Sequence, residues 1–251
     1  EIYMRSEKVI LCYGMGITQH RFGVEAVRML VDLLLLRGNI GRPGAGIAPI
    51  RGHSNVQGQR TVGISEKAKL VPLDKLAELY DFNPPREDGL TTVDACQAIL
   101  DGKVRAFISL GGNFLRAVPE REMMEKGWQR LRLSVQIATK LNRSHVVPAE
   151  ITYLLPSLGR IEIDRQASGP QAVSVEDSTA CIHGSRGQRE PVSALALSEP
   201  AIIAGMAKAT LTTNPEVDWE AWVGDYNRVR DAIESTYPDQ FKDFKKRMFK
   251  P

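Results

Sequence analysis

Apolar and polar positions along this chain fall into two alternating rhythms. Lys8 to Tyr13 (KVILCY) is a short apolar run that predicts a strand. Phe22 to Arg37 carries its apolar residues at helical spacing, with Glu25, Arg28 and Asp32 among them, and its densest part, Met29 to Leu36, predicts a buried core helix. Between these two segments, LCYGMGITQH (residues 11 to 20) ends its apolar run in two closely spaced glycines. After them, Gly38 to Gly58 (GNIGRPGAGIAPIRGHSNVQG) mixes glycine, proline and polar side chains too densely for regular structure, which predicts a long loop. Strand, loop, helix and loop in that order are the grammar of an α/β chain.

The same grammar recurs further on. Pro72 to Tyr80 and Thr91 to Leu100 have helical spacing, the second with Thr91 or Thr92 as N-cap and Gly102 as a stop. Val104 to Leu110 predicts a buried strand ending at Gly111-Gly112-Asn113, followed by a helix from Pro119 to Lys126 and a strand from Leu131 to Gln136. Short β-like runs at Glu150 to Leu155, Arg160 to Ile163 and Ala172 to Val175 lead into a polar loop, Glu176 to Pro191. Helices at Pro200 to Leu211, Asp218 to Tyr226 and Arg228 to Thr236 close the pattern, and Lys242 to Lys250 predicts a solvated amphipathic helix. The fold class expected is α/β, a mostly parallel sheet with helices on both faces.

Composition narrows the function classes. A net charge of +3 over 251 residues, with basic residues scattered, disfavours nucleic acid as a partner. No apolar stretch reaches the ~20 residues of a membrane span. Cys12, Cys96 and Cys181 lie far apart without a CxxC pair, which argues for a reducing compartment such as the cytoplasm and predicts three small buried hydrophobes rather than disulfides. The four histidines show neither HxH nor HExxH spacing, so no metal site wholly within the chain is expected, and His145 and His183 read as hydrogen-bonded loop histidines.

Three loops follow strand ends, and ligands of open α/β sheets sit at that edge. A dinucleotide fingerprint fails at the first of them: Gly14 and Gly16 fit, but Gln19 replaces the third glycine, and the acidic residue expected about 20 positions on is met only by Asp32, inside the apolar helix. No GxxxxGK[ST] occurs. Arg51 stands between Ile50 and Gly52, where no helical or strand face accounts for its charge. Its planar fork suits an oxyanion held bidentately, with a solvent-facing loop arginine as the plain alternative.

The stretch GMGITQH, then GVEAVRML, then GNIGRPGAGIAPIRGHSNVQG resembles the molybdopterin-dependent oxidoreductases that carry a bis(molybdopterin guanine dinucleotide) cofactor, in their formate dehydrogenase alpha-subunit-like branch. The similarity continues through Leu110 to Glu120, Ser134 to Pro156 and the loop from Glu176 to Pro191. It implies pterin contacts at Met15 and Gln19, with the backbone at Gly16 meeting phosphate or pterin, and places Arg51 on the arginine that stands beside the metal and orients the substrate anion. His53 falls where classical formate dehydrogenases have Gln, at a second pterin contact. Gly112 and Asn113 fall on a strand end that in the family is of Gly-Glu-Asp type, while Gln136, Thr139 and Lys140 fall where guanine nucleotide contacts are made and Ile137 replaces an acidic residue.

The resemblance also implies parts that cannot be located in this sequence: the cysteine segment of a 4Fe–4S cluster, expected only in a missing N-terminal part, the loop with the Cys, Sec or Ser metal ligand, and a C-terminal β-barrel. The chain thus resembles the middle of a protein roughly three times its size. Residues 1–52 would end one lobe, inserted into the other, and 53–251 would build the second. The expected function is the cofactor-binding segment of a molybdenum or tungsten oxidoreductase, with a small-molecule substrate, an electron-transfer partner, and exposed lobe surfaces that favour self-association. The competing readings are a non-catalytic scaffold of the same superfamily and a free-standing nucleotide-binding α/β domain.

Overall fold

The computed structural model describes residues 1–50 and 52–248. The chain forms two compact units, Glu1–Val62 with Val175–His183, and Gly63–Ser174 with Gly184–Pro251. Its fold class is α/β, with parallel sheets flanked by helices.

The first unit contains α1 (Ile2–Arg5), β1 (Ile10–Tyr13), α2 (Met15–Thr18), α3 (Gly23–Leu36), β2 (Gly46–Pro49) and α4 (Val56–Thr61). β1 and β2 pair in parallel, Ile10 opposite Gly46 through Tyr13 opposite Pro49. Parallel strands require a crossover, and α3 supplies it. The predicted loop over Gly38 to Gly58 is therefore corrected, since it contains β2 and the first turn of α4. Four residues, Gly46-Ile47-Ala48-Pro49, suffice for a ladder against β1, and Pro49 is tolerated because β2 is an edge strand. The glycines sit where the chain turns: Gly38, at φ 63° just past the end of α3, donates its N–H to the Leu35 carbonyl at 2.9 Å.

The buried core helix expected from Met29 to Leu36 is also corrected. Leu34 is fully buried, but Met29 is 72% and Leu36 84% exposed, and Val24, Leu33 and Leu35 are exposed too. The two-stranded β1–β2 sheet offers a 14-residue helix too little partner surface to cover an apolar circumference. Cys12 and Cys181 are exposed rather than buried, and Cys96 is half-buried.

The second unit begins with α5 (Leu73–Tyr80) and α6 (Thr92–Leu100), whose N-cap Thr91 accepts from the Asp94 N–H. β3 (Ala106–Leu110), α7 (Phe114–Ala117), α8 (Arg121–Trp128), β4 (Leu133–Ala138) and β5 (Ile151–Pro156) follow. β3, β4 and β5 form a parallel sheet in that order, with Ile108, Val135 and Tyr153 in one row. The helix expected from Pro119 starts two residues later because Glu120 is left-handed at φ 52°, and β4 runs two residues past its expected end.

Arg160 to Ile163 forms no strand and keeps only an isolated bridge, Glu162 opposite Arg189. The Glu162 carboxylate there accepts the Gly159 and Val192 N–H groups at 2.6 and 2.8 Å, replacing a ladder by side-chain bonds. β6 (Arg165–Gln166) and β7 (Gly169–Pro170) are antiparallel. β8 (Val173–Glu176) pairs with β9 (Ile182–Ser185), so the polar loop from Glu176 to Pro191 includes a strand. α9 (Glu199–Thr210), α10 (Trp219–Gly224), α11 (Tyr226–Thr236) and α12 (Phe244–Arg247) complete the order. Phe244 and Met248 are buried, so the last segment docks rather than floats.

The core of this unit joins α6, α7, α8 and β3 through Ile99, Leu115, Met124, Trp128 and Leu131, with Phe107 and Phe114 rings 4.9 and 6.0 Å from the Trp128 ring. Gly127 permits the closeness: an added Cβ would lie 3.1 Å from Leu100 Cδ2 and 3.2 Å from Ile99 Cγ2. Trp219 and Trp222 are half-buried and meet edge to face at 5.8 Å, with Tyr80 edge-on to Trp222 at 5.8 Å, a packing role as expected.

Two outcomes follow from this packing. Trp128→Ala empties the centre of the core and is expected to cost about 3–5 kcal/mol, read from urea unfolding. The bare face of α3 is expected to drive self-association of this chain, and Met29→Glu with Leu36→Glu should lower the mass seen by light scattering toward that of a monomer; an unchanged mass would exclude that face as the contact.

Candidate functional site

Because β1 and β2 are parallel, the chain leaves both at the same edge. Ile50 extends the pairing by donating its N–H to the Tyr13 carbonyl at 2.7 Å. Past that point the two loops lie side by side: a Cβ on Gly14 would be 3.6 Å from the Ile50 carbonyl oxygen, and one on Gly52 would be 3.4 Å from Met15 Cε. Met15 and Gly16 belong to α2, and Gln19 caps its C-terminus with its amide nitrogen 3.5 Å from Met15 Sδ. An added Cβ on Gly16 would meet nothing within 4 Å, so the backbone there is open to approach. His53 is exposed on the second loop, and Arg51 lies outside the described residues. Sequence positions some 35 residues apart are thus gathered on one rim.

The second unit repeats the arrangement at the C-terminal ends of β3, β4 and β5. Gly111 and Gly112, at φ 69° and 78°, turn the chain out of β3, a conformation that disfavours any residue with a Cβ. Gly111 donates to the Ile137 carbonyl at 2.8 Å, and the Gly112 carbonyl accepts from Asn142 Nδ2 at 2.8 Å. Asn113 Oδ1 accepts from the Ser144 hydroxyl at 3.0 Å, and Gln136 Nε2 donates to the Ser144 carbonyl at 3.0 Å. Asn113 and Gln136 therefore brace the strand ends through Ser144, and Gln136 does so while only 2% exposed.

Beside them is a cavity of about 280 Å³ lined by Gln136, Thr139, Lys140, His145, Leu154 and Pro156, among others. Thr139 also lines a neighbouring cavity of about 210 Å³ that includes Arg160, Asp164 and Ser198. Thr139 and Lys140 are exposed and bring a hydroxyl and an ammonium to the opening. Two cavities that share Thr139, one with Lys140 and the other with Arg160 in its lining, suit an elongated, phosphate-bearing ligand. Aliphatic β5 side chains supply the apolar part of the lining that a flat heterocycle needs.

His145 is hydrogen-bonded, as its sequence setting implied, yet it also faces the cavity. Its Nδ1 accepts the Asn142 N–H at 2.9 Å, which fixes the neutral ring with its proton on Nε2, and burial pushes its pKa below the ordinary histidine value. His183 lies in the first unit, its Nε2 2.7 Å from Asp177 Oδ2. That Asp177 carboxylate also accepts from the Thr179 hydroxyl, the Thr179 N–H and the Cys181 N–H, bonds that hold it well below the usual carboxylate range. Among the described residues no group of three or more His, Cys, Asp or Glu side chains could hold a metal ion, and no helix is long and apolar enough to cross a membrane.

The structure gathers Met15, Gly16, Gln19 and His53 at one strand edge, and Gly112, Asn113, Gln136, Thr139 and Lys140 at the other. Sequence pattern passes over Asn142 and Ser144, the pair that ties Gly112, Asn113 and Gln136 together. The signal available was the asparagine just before a turn, which here accepts from the Ser144 N–H as an N-cap.

The profile of the family described as molybdopterin oxidoreductase matches residues 1–158. Among individual proteins, the chain is 50% identical over its whole length to protein YdeP of Escherichia coli K12, covering 33% of that protein. It is 43% identical over 94% of its length to an uncharacterized oxidoreductase, Rv2900c, of Mycobacterium tuberculosis H37Rv, covering 30% of that protein. Formate dehydrogenase H of Escherichia coli K12 matches at 30% identity over 53% of this chain and 20% of its own. The chain spans about a third of the length of the first two.

The His145 setting has a pH signature. Its folded pKa lies below the unfolded value, so on acidification the unfolded chain takes the proton first and stability falls as pH drops below about 6.5, levelling off once the folded ring is also charged. Thermal unfolding followed from pH 8 to 5 should show this decline, and His145→Asn, which keeps an acceptor for Asn142 but cannot titrate, should flatten it.

Proposed function

The chain belongs to the molybdopterin oxidoreductase family, and from that premise we propose that it is the central cofactor-binding segment of a formate dehydrogenase-like, molybdenum- or tungsten-dependent oxidoreductase carrying a bis(molybdopterin guanine dinucleotide) cofactor. The observation that carries the reading is the cavity at the ends of β4 and β5, where Gln136, Thr139 and Lys140 line a space that combines phosphate donors with an apolar wall. That donor set fits the group. Thr139 and Lys140 would bind its phosphates and nucleotide, Gln136 and Asn113 would hold the strand ends against it, and Gly112 would allow close backbone approach.

In the first unit Met15, Gly16, Gln19 and His53 would face a pterin, with Gly16 left open for backbone contact. Arg51 would add the positive charge that orients a small anionic substrate such as formate. The group supplies two-electron transfer at its metal, and the residues of this chain hold, orient and shield it. Of the two lobes of the family's architecture, residues 1–52 would end the inserted one and 53–251 would build the second. A 4Fe–4S cluster, the metal ligand and the contact with an electron-transfer partner belong to the remainder of a longer cytoplasmic parent, and the chain by itself is inactive.

The full-length parent decides the matter. Denatured protein should release molybdenum or tungsten, measured by mass spectrometry, together with guanine nucleotide, measured chromatographically. Lys140→Ala, which deletes a charge-assisted contact, should lower nucleotide retained per mole by about tenfold. A well-folded parent that yields neither metal nor guanine nucleotide sinks the reading.

A further inference from the structure

The cavity at the ends of β4 and β5 holds two buried side chains whose hydrogen bonding is only half complete. Gln136 is 2% and His145 8% exposed, and both line the space of about 280 Å³. Gln136 donates its Nε2 to the Ser144 carbonyl at 3.0 Å, which leaves its Oε1 as an acceptor. His145 accepts the Asn142 N–H on Nδ1 at 2.9 Å, which leaves its Nε2 as a donor. Among the described residues neither Gln136 Oε1 nor His145 Nε2 has a hydrogen-bond partner. Nor is either atom sealed in the core: the closed-off, unpaired side-chain atoms of this unit are Trp128 Nε1, Ser134 Oγ and Ser157 Oγ. One acceptor and one donor therefore open onto the same cavity.

The two roles are not interchangeable. Reversing the Gln136 amide would set its oxygen against the Ser144 carbonyl, and moving the His145 proton to Nδ1 would set it against the Asn142 N–H. The turn Arg143–Val146 fixes both partners, because Asn142 caps it by accepting the Ser144 N–H at 3.0 Å. A carboxamide oxygen repels phosphate, so this pair does not suit the charged end of a nucleotide. It suits a heterocyclic edge with an acceptor beside a donor, and Leu154, Leu155 and Pro156 give a flat ring an apolar wall. Thr139 and Lys140, both exposed at the opening, are left for the phosphates.

We propose that His145 and Gln136 form a base-reading pair: His145 Nε2–H donates to the O6 carbonyl of a guanine, and Gln136 Oε1 accepts from its N1–H. The inference rests on the function proposed above, which supplies the guanine. Adenine presents an amino group and an unprotonated ring nitrogen at those two positions. On the same ribose it therefore sets donor against donor and acceptor against acceptor.

The test is calorimetric titration of the full-length parent, made in a host without molybdopterin synthesis so that the cavity is open to added nucleotide. Guanosine and inosine monophosphates share the O6 and N1–H edge and should bind within a few-fold of each other, with adenosine monophosphate about tenfold weaker. His145→Asn keeps an acceptor for Asn142 but withdraws the donor, and should weaken the first two about tenfold while leaving adenosine monophosphate unchanged. Lys140→Ala should weaken all three alike, as loss of a phosphate contact does. Equal binding of guanosine and adenosine monophosphates, or binding of neither, overturns the inference without any variant. So does a His145→Asn parent whose affinity for guanosine monophosphate is unchanged, or falls no more than its affinity for adenosine monophosphate. A purified parent that retains guanine nucleotide yet gives these results loses this inference alone. One that carries neither metal nor guanine nucleotide fails the functional reading, and the base-reading pair with it.

Discussion

Parallel strand pairing is the constraint on which the other features depend. Two strands that run the same way must end at the same edge, and the chain has to leave that edge by loops before a helix can carry it back. β1 with β2, and β3 with β4 and β5, each create such an edge, so residues far apart in sequence become neighbours without any side chain having to attract another. Met15 meets Gly52 in this way, and Gly112 meets Asn142. The glycines at these ends are needed because a backbone turning sharply out of a strand requires left-handed φ, as at Gly111 and Gly112.

The two edges solve the same problem with different chemistry. Around β3 and β4 a network of neutral groups, Asn113, Gln136, Asn142 and Ser144, ties the strand ends together, while Thr139 and Lys140 are exposed. Around β1 and β2 the backbone does more of the holding, through the Ile50 extension of the ladder and the Asn55 grip on Glu176. A buried amide network costs little in charge desolvation, and it would not compete for the charge of an anionic ligand beside it.

Much of this was legible in the sequence, for reasons that differ from element to element. β1, β3, α6 and α9 are strong local patterns bounded by caps or glycines, and the sequence reading finds them within a residue or two. β2 was hidden because a four-residue strand rich in Gly and Pro has no local propensity; only its partner β1 makes it a strand. The exposure of α3 was illegible for the opposite reason, since periodicity reports which face is apolar but not whether anything is there to cover it. The candidate site was visible as loops at strand ends and as a family resemblance. The bonds that shape it, from Ser144, Asn142 and Glu176, join residues up to 121 positions apart and have no sequence signature.

The return of Val175–His183 to the first unit also has a bearing on synthesis. A chain emerging from the ribosome presents Glu1–Val62 early, but the piece that completes this unit follows only after more than a hundred further residues. Until then the Asn55 side-chain oxygen lacks the Glu176 N–H that it accepts in the folded chain, and α4 is without that anchor. The core of the second unit, drawn from the nearly contiguous α6–β3–α8–β4 segment, has no such wait for a distant piece. The part of the first unit made early therefore waits on a segment made after most of the second unit's core.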